Sequence, residues 1–281
     1  WRRGWHPEVI SPKSSDHMVL VVGAGPAGLE CARALGQRGY QVHLAEAGKE
    51  LGGRVIREAK LPGLNEWIRV RDYRVGQLNK LANVSVYRDS RLGAGDISEF
   101  GAANVVIATG ATWRADGVGR SHRRPIPGSG NGQALSPEDV MAGAPISGPV
   151  VVFDDEHYYM GGVLAEELRR RGLPVTLVTP AGTTSAWTEA SLEQPYIQTQ
   201  LLEAGIDVRF GQKLASIGNG VVELACAYTG QITRQNARAV VMVTARLPND
   251  ELYHALMADE PALTTAGIKS VMRVGDCLNP G

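Results

Sequence analysis

The sharpest chemical signal in the sequence is the run Gly23-Ala24-Gly25-Pro26-Ala27-Gly28, whose glycine spacing suits a phosphate. Gly23 permits a tight turn, Gly25 lets the backbone approach a pyrophosphate, and Gly28 lets a helix pack close on a strand. Such a turn opens a helix whose amino-terminal N–H groups and positive dipole end attract anions. Glu46 follows Gly28 by 18 residues, where a carboxylate accepts hydrogen bonds from an adenosine ribose. Leu51-Gly52-Gly53-Arg54 comes next, a glycine pair for close approach and a guanidinium that can pair with phosphate. Ala108-Thr109-Gly110-Ala111 and Gly275-Asp276 are two further short runs at the ends of apolar stretches. Together these residues point to the binding of an adenine nucleotide.

The surrounding elements must bring these runs together. Met18 to Val22 is a continuous apolar run, as in a buried parallel strand. A helix is expected from Ala27 to Arg38, stopped by Gly39, and a second strand over 42–45. The glycine turn thus sits between strand and helix, the context that gives the motif weight. Residues 65–82 read as helical, and 84–87 and 105–108 as strands. Residues 119–147, rich in Gly, Pro, Ser and Arg, read as a connector. A second strand–turn–helix–strand follows, with strands at 150–153 and 175–178 around a helix from Gly161 to Arg171. Further on, Gly218-Asn219-Gly220 signals a hairpin, and strands are expected at 239–243 and 271–274.

The second turn has the wrong residues for a dinucleotide. Asp154-Asp155-Glu156-His157-Tyr158-Tyr159-Met160 stands where the glycines should be, and only Gly161-Gly162 remain. Three carboxylates facing a pyrophosphate would repel it, and the aromatic side chains would block its approach. No NAD(P) is therefore expected in this half. His157 reads as a turn residue or interdomain contact. Cys31 reads as helix packing, and Arg120, His122, Arg123 and Arg124 as a basic loop.

Composition narrows the field. The 281 residues suggest two domains. Lys+Arg and Asp+Glu are 29 each, a balance without the charge footprint of a nucleic-acid or anionic-membrane binder. No apolar run approaches the roughly 20 residues that span a bilayer. Three cysteines far apart, Cys31, Cys226 and Cys277, offer no zinc or dithiol spacing and fit a reducing cytoplasm.

The combination of GAGPAG, Glu46, LGGR, ATG and a terminal GD resembles the two-dinucleotide-binding-domain flavoproteins. Residues 2–8 (RRGWHPE), Asp72-Tyr73-Arg74, residues 108–114 (ATGATWR), Trp187-Thr188, Leu192-Glu193-Gln194 and Gly275-Asp276-Cys277 narrow this. Over essentially the whole chain they resemble the C-terminal nucleotide-binding region of trimethylamine dehydrogenase-like NADH:flavin oxidoreductases, the amine dehydrogenase and N-demethylase group. The resemblance implies an α/β fold of two Rossmann-like dinucleotide-binding domains, the second inserted into the first. The expected layout is an arm at 1–16, an FAD- or ADP-binding domain at 17–118 and 266–281, the connector at 119–147, and an NAD-domain-like fold at 148–265. The implied cofactor-binding residues are Gly23, Gly25, Pro26, Ala27, Gly28, Glu46, Ala47, Gly53, Arg54, Thr109, Gly110 and Asp276, with no catalytic or metal-binding residue.

By the same resemblance, FMN and a 4Fe-4S cluster belong to an N-terminal barrel outside this sequence. The chain is then expected to be a fragment, inactive alone, of an oxidoreductase that oxidises a methylated amine and passes electrons to an electron-transfer flavoprotein. Its partners are the missing barrel and that acceptor. Two alternatives stand beside this reading: a self-contained FAD-dependent NAD(P)H oxidoreductase, which would need an intact second glycine turn, and a non-enzymatic ADP-binding docking module.

Overall fold

The structure is a computed structural model that describes residues 9–280; the segment 2–8, with Trp1 and Trp5, lies outside the described residues. The chain runs β1 (Val19–Val22), α1 (Pro26–Gln37), β2 (Val42–Ala45), α2 (Val55–Glu58), α3 (Ile68–Leu78), β3 (Val84–Tyr87), α4 (Ala94–Phe100), β4 (Asn104–Ile107) and β5 (Ala111–Trp113). It continues through β6 (Ala134–Leu135), α5 (Pro137–Met141), β7 (Val150–Asp154), α6 (Met160–Arg170), β8 (Val175–Val178), α7 (Gln194–Glu203), β9 (Asp207–Arg209), β10 (Gln212–Gly218), β11 (Val221–Cys226), β12 (Ile232–Asn236) and β13 (Ala239–Val243). It closes with β14 (Arg246–Pro248), α8 (Glu251–Met257), α9 (Glu260–Thr265) and β15 (Ser270–Arg273).

Contacts divide the chain into two compact units. The first takes the chain up to Ile56, then Glu66–Ala111, then everything from Pro248; the second takes Arg57–Asn65 and Thr112–Leu247. The second unit's main stretch is thus an insertion in the sequence of the first.

The first unit is built on a parallel five-stranded sheet of order β15-β4-β1-β2-β3. Every residue of β1 is buried, which explains its unbroken apolar run: helices cover both faces. Val19, Val21, Val42 and Leu44 pack with Leu29 and Ala32 of α1 on one face. Leu20, Val22, Val105 and Ile107 pack with Ile97 of α4, Leu256 of α8 and Leu263 of α9 on the other. That second layer moves the return point. The sequence places it at residue 266, but α8 and α9 bury their apolar sides on this sheet, so the first unit resumes at Pro248.

The second unit carries another parallel five-stranded sheet, of order β6-β13-β7-β8-β9, and an antiparallel three-stranded sheet, β10-β11-β12. Val151, Phe153, Val240 and Met242 of the first sheet share a core with Leu214, Ile217, Val222 and Leu224 of the second. α6 buries Leu164, Ala165 and Leu168. The predicted hairpin joins β10 to β11 through Asn219 and Gly220, both at positive φ (50° and 78°), the conformation a tight two-residue hairpin turn requires. The expected connector is part of this unit. It supplies β6, paired with β13, and places Ile126 in the core. It also supplies α5, whose Ser136 hydroxyl accepts the Asp139 N–H while the Asp139 carboxylate accepts the Ser136 N–H.

Candidate nucleotide-binding site

The glycine turn joins β1 to α1 in the first unit, and its three glycines answer to different constraints. Gly23 lies at φ +99°, and a Cβ there would stand 2.5 Å from the Ala108 carbonyl oxygen. A Cβ on Gly28 would stand 1.8 Å from the Gly23 carbonyl oxygen. Both are glycine because backbone packs on backbone. Gly25 caps α1 in extended conformation, and a Cβ there would meet nothing within 4 Å. Internal packing therefore does not explain this glycine; its missing side chain leaves clear the space before the helix start. Pro26 occupies the first turn, where an N–H is not needed for the helix. The first amides of α1 have no intrahelical acceptor and present a positive dipole end. Open space in front of a helix amino terminus has room for a pyrophosphate.

Glu46 follows β2. Its Oε2 accepts the Ala24 N–H at 2.8 Å and its Oε1 accepts the Gly48 N–H at 2.8 Å. Each carboxylate oxygen keeps a further lone pair for a hydroxyl. Ala47 beside it is exposed. The LGGR loop lies against the turn: Gly52 N–H donates to the Ala24 carbonyl at 2.8 Å, and a Cβ on Gly53 would stand 3.0 Å from the Gly25 Cα.

Arg54, read from sequence as a partner for phosphate, instead bridges two strand ends. One guanidinium nitrogen lies 3.2 Å from the Asp276 carboxylate and another 3.3 Å from the Ala111 carbonyl. Thr109 Oγ1 donates to the Asn249 carbonyl at 2.5 Å and sits 3.2 Å from Cys277 Sγ. Asn249 returns its side-chain amide to the Thr109 carbonyl at 3.2 Å and its backbone N–H to Gly110 at 2.9 Å. A Cβ on Gly275 would stand 2.5 Å from the Ala27 Cβ, so the Gly-Asp run abuts α1. The structure thus gathers the predicted residues at the carboxyl ends of β1, β2, β4 and β15, the edge where parallel sheets bind ligands. Asn249 was not legible in the sequence, because its partner Thr109 is 140 residues away.

The second unit's turn departs from expectation. Asp154 and Asp155 do not face outward; they are 1% and 0% exposed. Asp155 accepts the Ser121 N–H at 2.7 Å and its hydroxyl at 2.5 Å. Asp154 Oδ1 accepts the Glu156 and His157 N–H groups at 3.2 and 3.0 Å. Burial, with the charges of Glu156 and Asp155, pushes the Asp154 carboxyl up to about 7 against the pull of those two amides. His157 sits at φ +70°, with Nδ1 3.3 Å from Thr179 Oγ1, and burial lowers its pKa.

The basic loop does not act as one patch. Arg120 stacks on Trp187 at 3.9 Å, His122 turns in against Phe153, and Arg123 and Arg124 are exposed. Cys31 packs beside the first unit's core, where burial raises its thiol to about 11. Among the described residues, no group of three or more His, Cys, Asp or Glu side chains is placed to hold a metal ion. No helix among them is long and apolar enough to cross a membrane.

Residues 17–141 match the family described as pyridine nucleotide-disulphide oxidoreductase, and residues 135–249 the OYE-like second alpha/beta domain. The whole chain is 39% identical to 41% of the length of dimethylamine dehydrogenase from Hyphomicrobium sp. (strain x). It is 47% identical to histamine dehydrogenase from Rhizobium sp. 4-9, covering 99% of this chain and 43% of that one, with a TM-score of 0.95. It is 48% identical to 6-hydroxypseudooxynicotine amine oxidase from Pseudomonas geniculata N1, covering 100% of this chain and 42% of that one, with a TM-score of 0.94. The chain spans about two-fifths of the length of these relatives. With both domain matches in order and this likeness along its full extent, the chain belongs to the trimethylamine dehydrogenase-like oxidoreductases.

Proposed function

We propose that this chain is the nucleotide-binding part of a longer amine-oxidising flavoprotein, and that its first unit holds the ADP moiety of FAD or ADP itself. The observation that carries this is Gly25. Gly23 and Gly28 are required by packing, whereas the space before Gly25 serves nothing within the unit. In this reading the amides around Gly25, Pro26, Ala27 and Gly28 receive the pyrophosphate, with Gly53 keeping the neighbouring loop clear. Glu46 and Ala47 receive the ribose. Thr109, Gly110, Asp276 and Arg54 border the same edge of the sheet. Bound FAD would supply electron transfer; the chain's own part is to bind, orient and shield the nucleotide.

The FMN and 4Fe-4S cluster of the intact enzyme belong to a barrel domain beyond this chain. That domain is the first partner, and an electron-transfer flavoprotein is the acceptor. The methylated-amine substrate meets the barrel rather than these residues. The second unit is read as taking no NAD(P), and its buried Asp154 and Asp155 support this over a self-contained NAD(P)H reductase. Three unpaired cysteines favour the cytoplasm.

The test is to denature the purified chain and identify the released nucleotide by chromatography and absorption. FAD or ADP, at one equivalent per chain, is expected. No nucleotide, with no binding of added ADP, would overturn the reading.

A further inference from the structure

Asp154 lies at the end of β7, as Val22 lies at the end of β1, and the chain then turns into a helix in both units. In the first unit the turn leaves open space in front of Gly25. In the second, the side chain of Asp154 folds back under its own turn. Its Oδ1 takes the N–H groups of Glu156 and His157. The Asp155 and Glu156 amides also point inward, to the Val243 carbonyl, at 2.9 and 3.2 Å. The other oxygen, Oδ2, has no hydrogen-bond partner and is pressed against the start of α6, where a Cβ on Gly161 would stand 2.7 Å from it.

We propose that Asp154 is a built-in ligand of the second unit's dinucleotide fold: its carboxyl takes the turn amides that a bound phosphate would need and holds the turn closed from inside. The proposal builds on the reading of this unit as one without NAD(P) and supplies the mechanism.

Two further observations support it. Nothing else in the turn can satisfy the His157 amide, since Glu156 has Val243 as a second acceptor and His157 does not. A buried carboxyl with one unpaired oxygen carries a desolvation cost, and the elevated pKa records that cost. The site therefore keeps a costly buried carboxyl, and the amides it accepts, that of His157 above all, are what the carboxyl serves there. The charged and titratable groups around it are Asp155, Glu156 and His157.

The test is hydrogen exchange of the His157 amide, read at residue resolution in the full chain with the first unit saturated with ADP. In Asp154→Ala this amide should exchange about tenfold faster or more, as expected for loss of a hydrogen bond to a carboxylate. In Asp154→Asn, which keeps an accepting oxygen, it should stay close to the parent rate. Inorganic pyrophosphate should slow the exchange again in Asp154→Ala and leave the parent unmoved. Equal rates in parent and Asp154→Ala, or no effect of pyrophosphate on that variant, would overturn the proposal. So would protection of His157 by pyrophosphate in the parent, a measurement that needs no variant to fold. Protection of the Gly25 amide by ADP reports the first site separately, so failure of either reading is visible alone.

Discussion

The two strand–turn–helix corners of this chain solve one geometric problem with opposite chemistry. At β1–α1 the turn is made by removing side chains: glycine permits the positive φ at residue 23 and the backbone contact at residue 28. At β7–α6 it is made by adding one, the Asp154 carboxyl, which binds the turn's own amides. In the first, the Gly23 and Ala24 N–H groups go to the Ala45 carbonyl and the Glu46 carboxylate and open space remains in front of Gly25; in the second, the Asp154 carboxyl takes the Glu156 and His157 N–H groups from within the turn. Both give a parallel sheet with a packed helix, so architecture alone does not decide whether a corner binds a nucleotide. The difference lies in whether the turn leaves open space in front of its helix or fills its interior with a carboxyl.

That contrast can be broken or sharpened by substitution. Gly28→Val should have the largest effect: with backbone 1.8 Å from its Cβ nothing can yield, and a loss of about 3 kcal/mol or more should appear as a collapsed unfolding midpoint with no bound nucleotide. Gly161→Ala probes the closed corner. Its Cβ would meet Asp154 Cγ at 2.5 Å, costing about 1–3 kcal/mol in thermal denaturation while ADP affinity measured by calorimetry stays unchanged. Gly25→Ala should do the reverse. Its φ of −69° suits alanine and its Cβ meets nothing, so the midpoint should hold, while ADP binding weakens about tenfold as the methyl enters the approach space.

The pH dependence of stability separates the corners next. The Asp154 pKa is raised from 3.8 to about 7, so across that window the folded protein keeps a proton that the unfolded chain has released. The stability contribution therefore falls as pH rises through the window, and the penalty is complete above it. Asp154→Asn should flatten that slope in denaturant titrations run at several pH values. The smallest effect belongs to Arg54→Ala. Its partly exposed bridge to Asp276 should contribute about 1 kcal/mol or less, read as a small shift in denaturant midpoint.

The sequence revealed the open corner and hid the closed one, for a physical reason. Glycine positions at a strand–helix junction carry backbone constraints that are local, so the run from Gly23 to Gly28 and the spacing to Glu46 were readable. Burial is not local. The acids 154–156 read as an outward-facing charge run because nothing in their types says that Ser121 donates to Asp155 or that Asp154 folds under its own turn. The same limit displaced the boundary at residue 248. The apolar residues of α8 and α9 find their partners on β1 and β4, more than a hundred residues earlier. β12 was missed because its residues are largely exposed and polar, with no alternation to read. β6 was missed because two residues leave no pattern.

The place of β15 in the first sheet sets an order on assembly. β4 is hydrogen-bonded to β1 on one side and to β15 on the other. During synthesis, the ribosome must deliver all of residues 112–247 between those two partners. Through that interval β4 presents a bare edge of buried-type residues, Val105, Val106 and Ile107, open to any passing strand. The inserted unit, by contrast, has its main stretch complete before Ser270 emerges. A nascent chain is therefore most vulnerable to aggregation in the window before its last strand arrives, and slow translation of the inserted stretch would lengthen that exposure.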